Sequence, residues 1–143
     1  MCVTIISAAI TSIIGLYPTI ENGEVVMKTP NSILITTDKS GYKIGEPVLI
    51  KMKNIGGNSL ETNSMPVGFT VYDDHDNQMK TWIGALGVMG KFHPGDEVTH
   101  VWDQKEDHSR EQVKPGTYKV RPGNVIGSIG DPVQEFRILP VLK

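Results

Sequence analysis

The sequence predicts an all-β protein: an immunoglobulin-like antiparallel β-sandwich of about seven strands, preceded by an apolar N-terminal segment. Fifteen glycines and nine prolines divide the chain into short pieces, so few runs are long enough for a three-turn helix. Short runs rich in β-forming residues recur about every ten residues, each introduced by Gly, Pro, Asn or Asp. Several of these runs alternate apolar and polar residues, which is the period of a strand with one buried face. This spacing favours a two-layer sandwich over a barrel or an α/β fold.

The first half of the domain contains the clearest strand patterns. In PVLIKMKN (47–54), Val48, Ile50 and Met52 alternate with other residues and predict one apolar face. The polar stretch 55–66 is interpreted as a loop. The other predicted strands here are ILITT (33–37), VGFTVYD (67–73) and MKTW (79–82), the last two forming a hairpin across DDHDNQ.

The second half repeats the same design. IGALGVMG (83–90) contains three glycines and is predicted to be a flat connection or an edge strand rather than a helix. Pro-Gly turns introduce the next two strands. The predicted strands are FHPGDEVTHVW (92–102), KPGTYKVR (114–121) and VQEFRIL (133–139).

Composition limits the classes of function. The 143 residues carry a formal net charge of -2 without a basic block, which argues against nucleic acid as a partner. Cys2 is the only cysteine, so no internal disulfide forms. No P-loop, G-x-S-x-G elbow or H-E-x-x-H motif is present. We therefore expect no enzymatic activity, no catalytic residues, no cofactor and no metal.

The start of the chain differs from the rest. Residues 3–20 carry no charged side chain. Their length suits a signal peptide, a membrane anchor or an assembly segment that inserts as a helix or strand into a neighbouring subunit. The alternative is a strand of the domain itself, since Val, Thr and Ile favour strands. The predicted organisation is an apolar segment (1–20), a linker (21–32) and a sandwich domain (33–143).

Several motifs resemble one family. The runs FTVYDDHDNQMKTW, FHPGDEVTHVWDQKED and VKPGTYKV are similar to the intracellular proteinase inhibitor family of the BsuPI type, over roughly residues 42–120. The resemblance implies an immunoglobulin-like sandwich that binds a protein. Where related sequences often place glycine in the loop after Trp-Asp, this chain has Ser109-Arg110. The matching positions are Tyr72-Asp73, Trp82, Pro94-Gly95-Asp96, Trp102-Asp103 and Pro115-Gly116-Thr117-Tyr118.

The stretch from Trp102 to Tyr118 is interpreted as a structural corner. Trp102 supplies a large core side chain, and Asp103 accepts hydrogen bonds from loop amides. Tyr118 follows Pro115-Gly116 at a strand start, so it is predicted to be a corner tyrosine, the alternative being an exposed aromatic for binding. Between them lies the candidate partner-contact loop, formed by Lys105, Glu106, Asp107, His108, Ser109, Arg110 and Glu111.

Two acidic groups have a second interpretation as cation sites. Asp73-Asp74-His75-Asp76 is predicted to be a solvated hairpin turn, and the rival reading is a cation site. Asp103 with Asp107 is the other candidate ligand pair, and the residues between them, Gln104, Lys105 and Glu106, include a positive charge. The four histidines lack a spacing that places two on one strand face; they are His75, His93, His100 and His108.

The predicted function is therefore a non-enzymatic protein-binding module resembling a proteinase inhibitor. Its partner is a protease or a neighbouring subunit. The alternative is an extracytoplasmic structural, filament or envelope subunit that is anchored in a membrane or self-assembles through residues 3–20. That segment favours an extracytoplasmic, secreted or envelope-attached location over a cytoplasmic one.

Overall fold

The computed structural model describes residues 17–28, 32–123, 125–128 and 130–142. Every helix-or-strand element in this described part is a strand, and no helix there is long and apolar enough to cross a membrane. The strands are β1 (Tyr17–Glu21), β2 (Glu24–Lys28), β3 (Ile33–Thr37), β4 (Gly41–Tyr42), β5 (Val48–Asn54), β6 (Leu60–Met65), β7 (Phe69–Tyr72), β8 (Gln78–Trp82), β9 (Ala85–Phe92), β10 (Glu97–Trp102), β11 (Gly116–Pro122), β12 (Val125–Ile126) and β13 (Gln134–Ile138).

The strands form three sheets and a separate hairpin. Sheet I has the order β10-β5-β3, sheet II the order β4-β13-β11-β7-β8, and sheet III the order β12-β6-β9. All neighbouring strands are antiparallel except β4 and β13, which are parallel. Sheets I and II are the two layers of a sandwich, because the inward side chains of both belong to one buried cluster.

The connectivity is that of an immunoglobulin-like domain. In such domains the first, second and fifth strands share one sheet, and the third, sixth and seventh share the other. Here β3, β5 and β10 take the first set of positions, and β7, β11 and β13 take the second. The fold class predicted from the sequence is confirmed, with sheet III as an addition.

The apolar alternation predicts the core correctly. Val48, Ile50 and Met52 are fully buried on β5, while Phe136 and Ile138 are buried on β13. Rings from three strands join them: Trp102 contacts both Tyr118 and Phe136. Burial of these large side chains is the main contribution to the stability of the sandwich.

The prediction of a loop over 55–66 is wrong, because this stretch contains β6. Its buried face consists of Leu60, Thr62 and Ser64, so the alternation is mostly polar and escapes a search for apolar periodicity.

The glycine-rich stretch 83–90 belongs mainly to β9, which is an edge strand of sheet III as predicted. A Cβ at Gly84 would lie 2.3 Å from the Met65 carbonyl oxygen, so the close approach of these two segments requires glycine.

A hairpin precedes the sandwich and crosses the predicted boundary between apolar segment and linker. Strands β1 and β2 pair with each other across Asn22-Gly23, whose φ angles of 50° and 78° suit a tight two-residue turn. Ile20 and Val25 lie opposite each other and are exposed. The rest of the segment prediction, over 1–16, and the linker residues 29–31 lie outside the described residues.

Candidate functional site

Trp102 and Tyr118 form the predicted corner at one end of the sandwich. The Trp102 indole is 1% exposed and its Nε1 donates a hydrogen bond to the Lys105 carbonyl oxygen at 3.0 Å. The Tyr118 hydroxyl donates to the carbonyl oxygen of Lys114, four residues upstream and just before Pro115-Gly116. This is the geometry of a tyrosine corner. The ring of Tyr118 is buried, while part of the residue lines a surface cleft.

Asp103 follows Trp102 and stays at the surface. Its Oδ1 accepts a hydrogen bond from the Lys105 amide at 3.1 Å, which is the turn role expected of an aspartate at this position. The side chain is exposed, so its contribution is local.

Gln104 organises the loop, and sequence reasoning missed it. Its side chain is fully buried. Nε2 donates to the carbonyl oxygens of Lys43 and Glu46 at 2.8 and 2.7 Å, and Oε1 accepts from the Gly45 amide at 3.2 Å and from the Gln112 side chain at 2.7 Å. Gln104 therefore attaches the loop to the turn between β4 and β5. Nothing local in the sequence distinguishes it from a solvated glutamine.

Asp107 attaches the same loop to the edge of sheet II. The Asp107 amide donates to the Met79 carbonyl oxygen at 2.9 Å, and its Oδ2 accepts from the Thr81 amide at 2.8 Å. The Lys80 ammonium lies 3.0 Å from Oδ1. Both carboxylate oxygens thus contact β8. The cation interpretation that paired Asp107 with Asp103 has no support in this arrangement.

The electrostatics of Asp107 reflect these contacts. Partial burial alone would raise the pKa of the Asp107 carboxyl. The hydrogen bond from Thr81 and the charge of Lys80 outweigh this effect and lower the pKa below its usual value. Asp107 is therefore held in the charged form that β8 binds.

The remaining loop residues form a small, hydrogen-bonded tip. The Glu106 amide donates to the Glu111 carbonyl oxygen and the Arg110 amide to the Glu106 carbonyl oxygen, both at 2.9 Å. Arg110 has a φ of 63°, so this residue adopts the left-handed conformation that glycine favours. The side chains of His108, Ser109, Arg110 and Glu111 are exposed. The candidate partner-contact loop is therefore fixed at its base and presents a polar tip.

The acidic turn between β7 and β8 is built around Asp73. Its Oδ1 accepts from the amides of His75 and Asn77, at 2.9 and 2.8 Å, and its Oδ2 accepts from the Asn77 side chain at 3.0 Å. Partial burial would raise the pKa of Asp73, but these hydrogen bonds outweigh it and lower the pKa. Asp76, with a φ of 62°, pairs with Lys119. These contacts match the hairpin-turn interpretation.

The histidines do not form a common site. His75 Nδ1 lies 2.8 Å from an Asp74 oxygen, His93 contacts Ser59, and His100 Nε2 lies 2.6 Å from the Val67 carbonyl oxygen. In the described part of the chain, one cluster of potential metal ligands is close enough to hold a cation. It consists of Asp73, Asp74 and His75, whose ligand atoms lie within 4.8 Å of one another. His75 and Asp74 are exposed, so this cluster is open to solvent.

The acidic turn and the loop face each other across one cleft, here called the acidic cleft, of about 470 Å³. Asp73 and Asp74 of the acidic turn line this cleft, and so do Glu106 and Glu111 of the loop. Burial raises the pKa of Tyr118, and the nearby charges of Asp73 and Asp74 add to this effect. The other lining residues are His75, Met79, Ser109, Gln112, Val113, Lys114, Pro115, Gly116 and Thr117. The structure thus joins two motifs that lie about 30 positions apart in the sequence.

No family model and no curated protein matches the chain. Among solved structures, the CARDB domain of a Pyrococcus furiosus protein, in complex with di-metal ions, is 17% identical with a TM-score of 0.43, over 80% of this chain and 94% of that chain. Spo0M, a sporulation control protein from Bacillus subtilis, is 15% identical with a TM-score of 0.40, over 76% of this chain and 48% of that one.

A β-glucosidase from Listeria innocua is similar over 82% of this chain, with 16% identity and a TM-score of 0.39. The match covers 17% of the enzyme, so the chain spans less than a fifth of that protein's length. All three TM-scores are below 0.5. These likenesses therefore say nothing about the activity or ligands of this chain.

Proposed function

We propose that this protein is a non-enzymatic binding module that docks a basic segment of a protein partner in the acidic cleft. The observation that carries the proposal is that acidic residues from two distant segments and apolar residues line the same cleft. Four acidic residues line the cleft, and Lys114 is the only lysine or arginine among its lining residues. An arginine or lysine side chain of a partner matches this charge pattern.

The floor of the acidic cleft suits the stem of such a side chain. Met79 and Val113 line it beside the ring of Tyr118. Long basic side chains pack their methylene groups on apolar surface while the charged head remains near water and carboxylates. The loop wall is fixed through Gln104 and Asp107, so little ordering is needed when a partner binds.

A peptide titration tests the charge preference. We expect a short glycine-serine peptide carrying one arginine to bind, and the same peptide carrying glutamate not to bind, as measured by calorimetry. Removing the charges by Asp74→Asn and Glu111→Gln together should weaken binding about tenfold. Glu135→Gln, on the exposed face of β13 away from the cleft lining, is the matched control. Equal binding of both peptides would contradict the proposal.

The resemblance to proteinase inhibitors supplies a narrower version of this function. A loop with a fixed base and an exposed tip is the kind of segment that rigid inhibitors present to a protease. We expect stoichiometric loss of activity when the protein is titrated against a subtilisin-like protease, and Arg110→Ala at the tip should weaken it. Unchanged protease activity at a large molar excess would remove the inhibitor role and leave the peptide-binding role to its own test.

A second candidate function is a structural, extracytoplasmic or envelope-attached subunit that is anchored or assembled through residues 3–20. The hairpin β1–β2 favours it, because this hairpin forms its own sheet and exposes Ile20 and Val25. An isolated two-stranded hairpin is marginally stable in water and gains from a covering surface. Deleting residues 1–20 should release a folded, soluble sandwich from the membrane fraction. Unfolding of the truncated protein would instead assign this segment to the domain core.

A further inference from the structure

Strand β10 is a sheet edge whose outward backbone groups have no partner among the described residues. It pairs with β5 on one side only, since sheet I has the order β10-β5-β3. The Asn54 amide donates to the Asp96 carbonyl oxygen at 3.0 Å, and the Gly95 amide donates to the Asn54 carbonyl oxygen at 2.8 Å. Asn54 therefore directs its backbone groups toward the β10 side.

The alternation of hydrogen-bonded pairs in an antiparallel ladder then shows, for each residue of β10, whether its backbone groups point toward β5 or away from it. Residues two apart on a strand point their backbone groups the same way. Val98, His100 and Trp102, which lie opposite Met52, Ile50 and Val48, hydrogen-bond to β5. The other three residues direct their N–H and C=O groups away from the sheet; they are Glu97, Thr99 and Val101.

This edge has little protection. Natural edge strands are usually blocked by lysine, proline, a bulge or a covering loop. The side chains of Glu97, Thr99 and Val101 are exposed, that of Val101 to 61%, and Glu97 is the only charged residue of the strand. In immunoglobulin domains of the constant type a fourth strand lies next to the strand in the β10 position. In sheet I no described strand occupies that position.

We propose that two copies of the chain dimerise by antiparallel pairing of β10 with β10, with the two-fold axis passing between the two Thr99 residues. In this register Thr99 faces its own copy, and Glu97 of each chain faces Val101 of the other. Each facing pair exchanges two hydrogen bonds, so all the outward groups of β10 are satisfied. The result is one continuous six-stranded sheet with an isologous interface.

The side chains suit this partner. The register places threonine against threonine, which is a favourable cross-strand pair, and places no like charges opposite each other. Glu97 keeps its contact with Lys53, 3.6 Å away, while the apolar Val101 of the other chain lies beside it. Because the contact is confined to an edge, the dimer is weak and concentration-dependent.

Charge substitutions at the two-fold axis test the proposal in the full-length protein. Thr99→Lys and Thr99→Glu each place two like charges face to face, so each should raise the dimer dissociation constant about tenfold or more in sedimentation velocity. An equimolar mixture of the two variants places lysine opposite glutamate and should restore dimers close to the wild-type level. This rescue distinguishes the symmetric β10 pair from any other mode of association.

Thr36→Lys and Thr36→Glu are the matched controls, because Thr36 and Thr99 lie on either side of Lys51 in the same row of sheet I. They should leave association unchanged. In hydrogen exchange, the Thr99 and Val101 amides should gain protection as concentration rises from about 10 µM to 1 mM. A wild-type monomer throughout this range, or dimers that persist in both Thr99 variants, would overturn the proposal.

Discussion

Strand β8 is one edge of sheet II and strand β10 is one edge of sheet I, and the two are protected very differently. They meet at the side of the sandwich, where the rings of Trp82 and His100 lie 4.5 Å apart. On β8, the Met79 carbonyl and the Thr81 amide are both bound by Asp107. On β10, the outward groups of residues such as Thr99 have no partner among the described residues.

The difference shows that the two neighbouring sheet edges offer different kinds of binding surface. The loop after β10 crosses to sheet II and covers β8, so the edge on that side becomes part of the acidic cleft and is closed to another strand. The neighbouring edge of sheet I, strand β10, stays available for strand pairing. A partner of the β8 edge would therefore contact side chains of the acidic cleft, whereas a partner of the β10 edge would contact backbone groups.

Removing the buried anchor of the covering loop has the largest expected effect. Gln104→Ala deletes the hydrogen bonds to Lys43, Glu46 and Gly45 and leaves a buried cavity. We expect a loss of about 3 kcal/mol in the free energy of unfolding, measured by urea denaturation. The exposed Gln78→Ala is the control and should change stability by less than about 0.5 kcal/mol. Similar values for the two variants would mean that Gln104 does not hold the loop.

The corner hydrogen bond has the next largest effect. Tyr118→Phe keeps the ring in the core but removes the bond to the Lys114 carbonyl oxygen. We expect a loss of about 1.5 kcal/mol in the same urea measurement. Tyr72→Phe, on the half-buried end of β7, is the control and should be nearly neutral. An equal loss in the control would show that the corner bond has no special role.

The covering contact of Asp107 predicts a pH dependence. Its folded pKa lies below the usual value, so its stabilisation is present above the unfolded pKa of about 4 and is lost as pH falls through the folded pKa. Asp107→Asn keeps an acceptor for Thr81 but loses the charge, and we expect it to cost about 1 kcal/mol at pH 7. Wild type and variant should converge as the pH falls below the folded pKa of Asp107. A constant difference across this pH range would contradict the assignment.

The open edge predicts the smallest effect on the folded protomer. The Thr99 side chain is exposed, and in the proposed dimer it makes contacts only across the two-fold axis. Thr99→Lys should therefore change the unfolding free energy of the monomer by no more than about 0.5 kcal/mol at low concentration, while it disrupts dimers. A large loss of protomer stability would show that β10 has an intramolecular role that its exposure does not reveal.

The core was predictable because its strands follow simple alternation. The alternation in β5 predicts that Val48, Ile50 and Met52 form one buried face, and all three are buried. The strand β6 was not predictable in this way, since Thr62 and Ser64 occupy buried positions on it. Polar residues there are satisfied by contacts that only the folded neighbours provide, such as the Thr62 hydroxyl with the Met65 sulfur.

The candidate site was predictable only in its parts. The loop 105–111 and the acidic turn at Asp73 were both recognised as dense in charge. No sequence pattern predicted that these two segments line one cleft or that Gln104 anchors the loop. Gln104 bonds to residues about 60 positions earlier in the chain, and no local pattern encodes such a contact.

The sequence by itself determined the class of fold, the inward faces of the main strands and the corner at Trp102 and Tyr118, because alternation and turn chemistry act over a few residues. The tertiary structure alone decided which sheet edge is covered, which stays open and which acidic groups share a cleft. These features depend on contacts between distant segments. Such contacts are set by how the two sheets pack, and the pattern of any single strand does not contain that information.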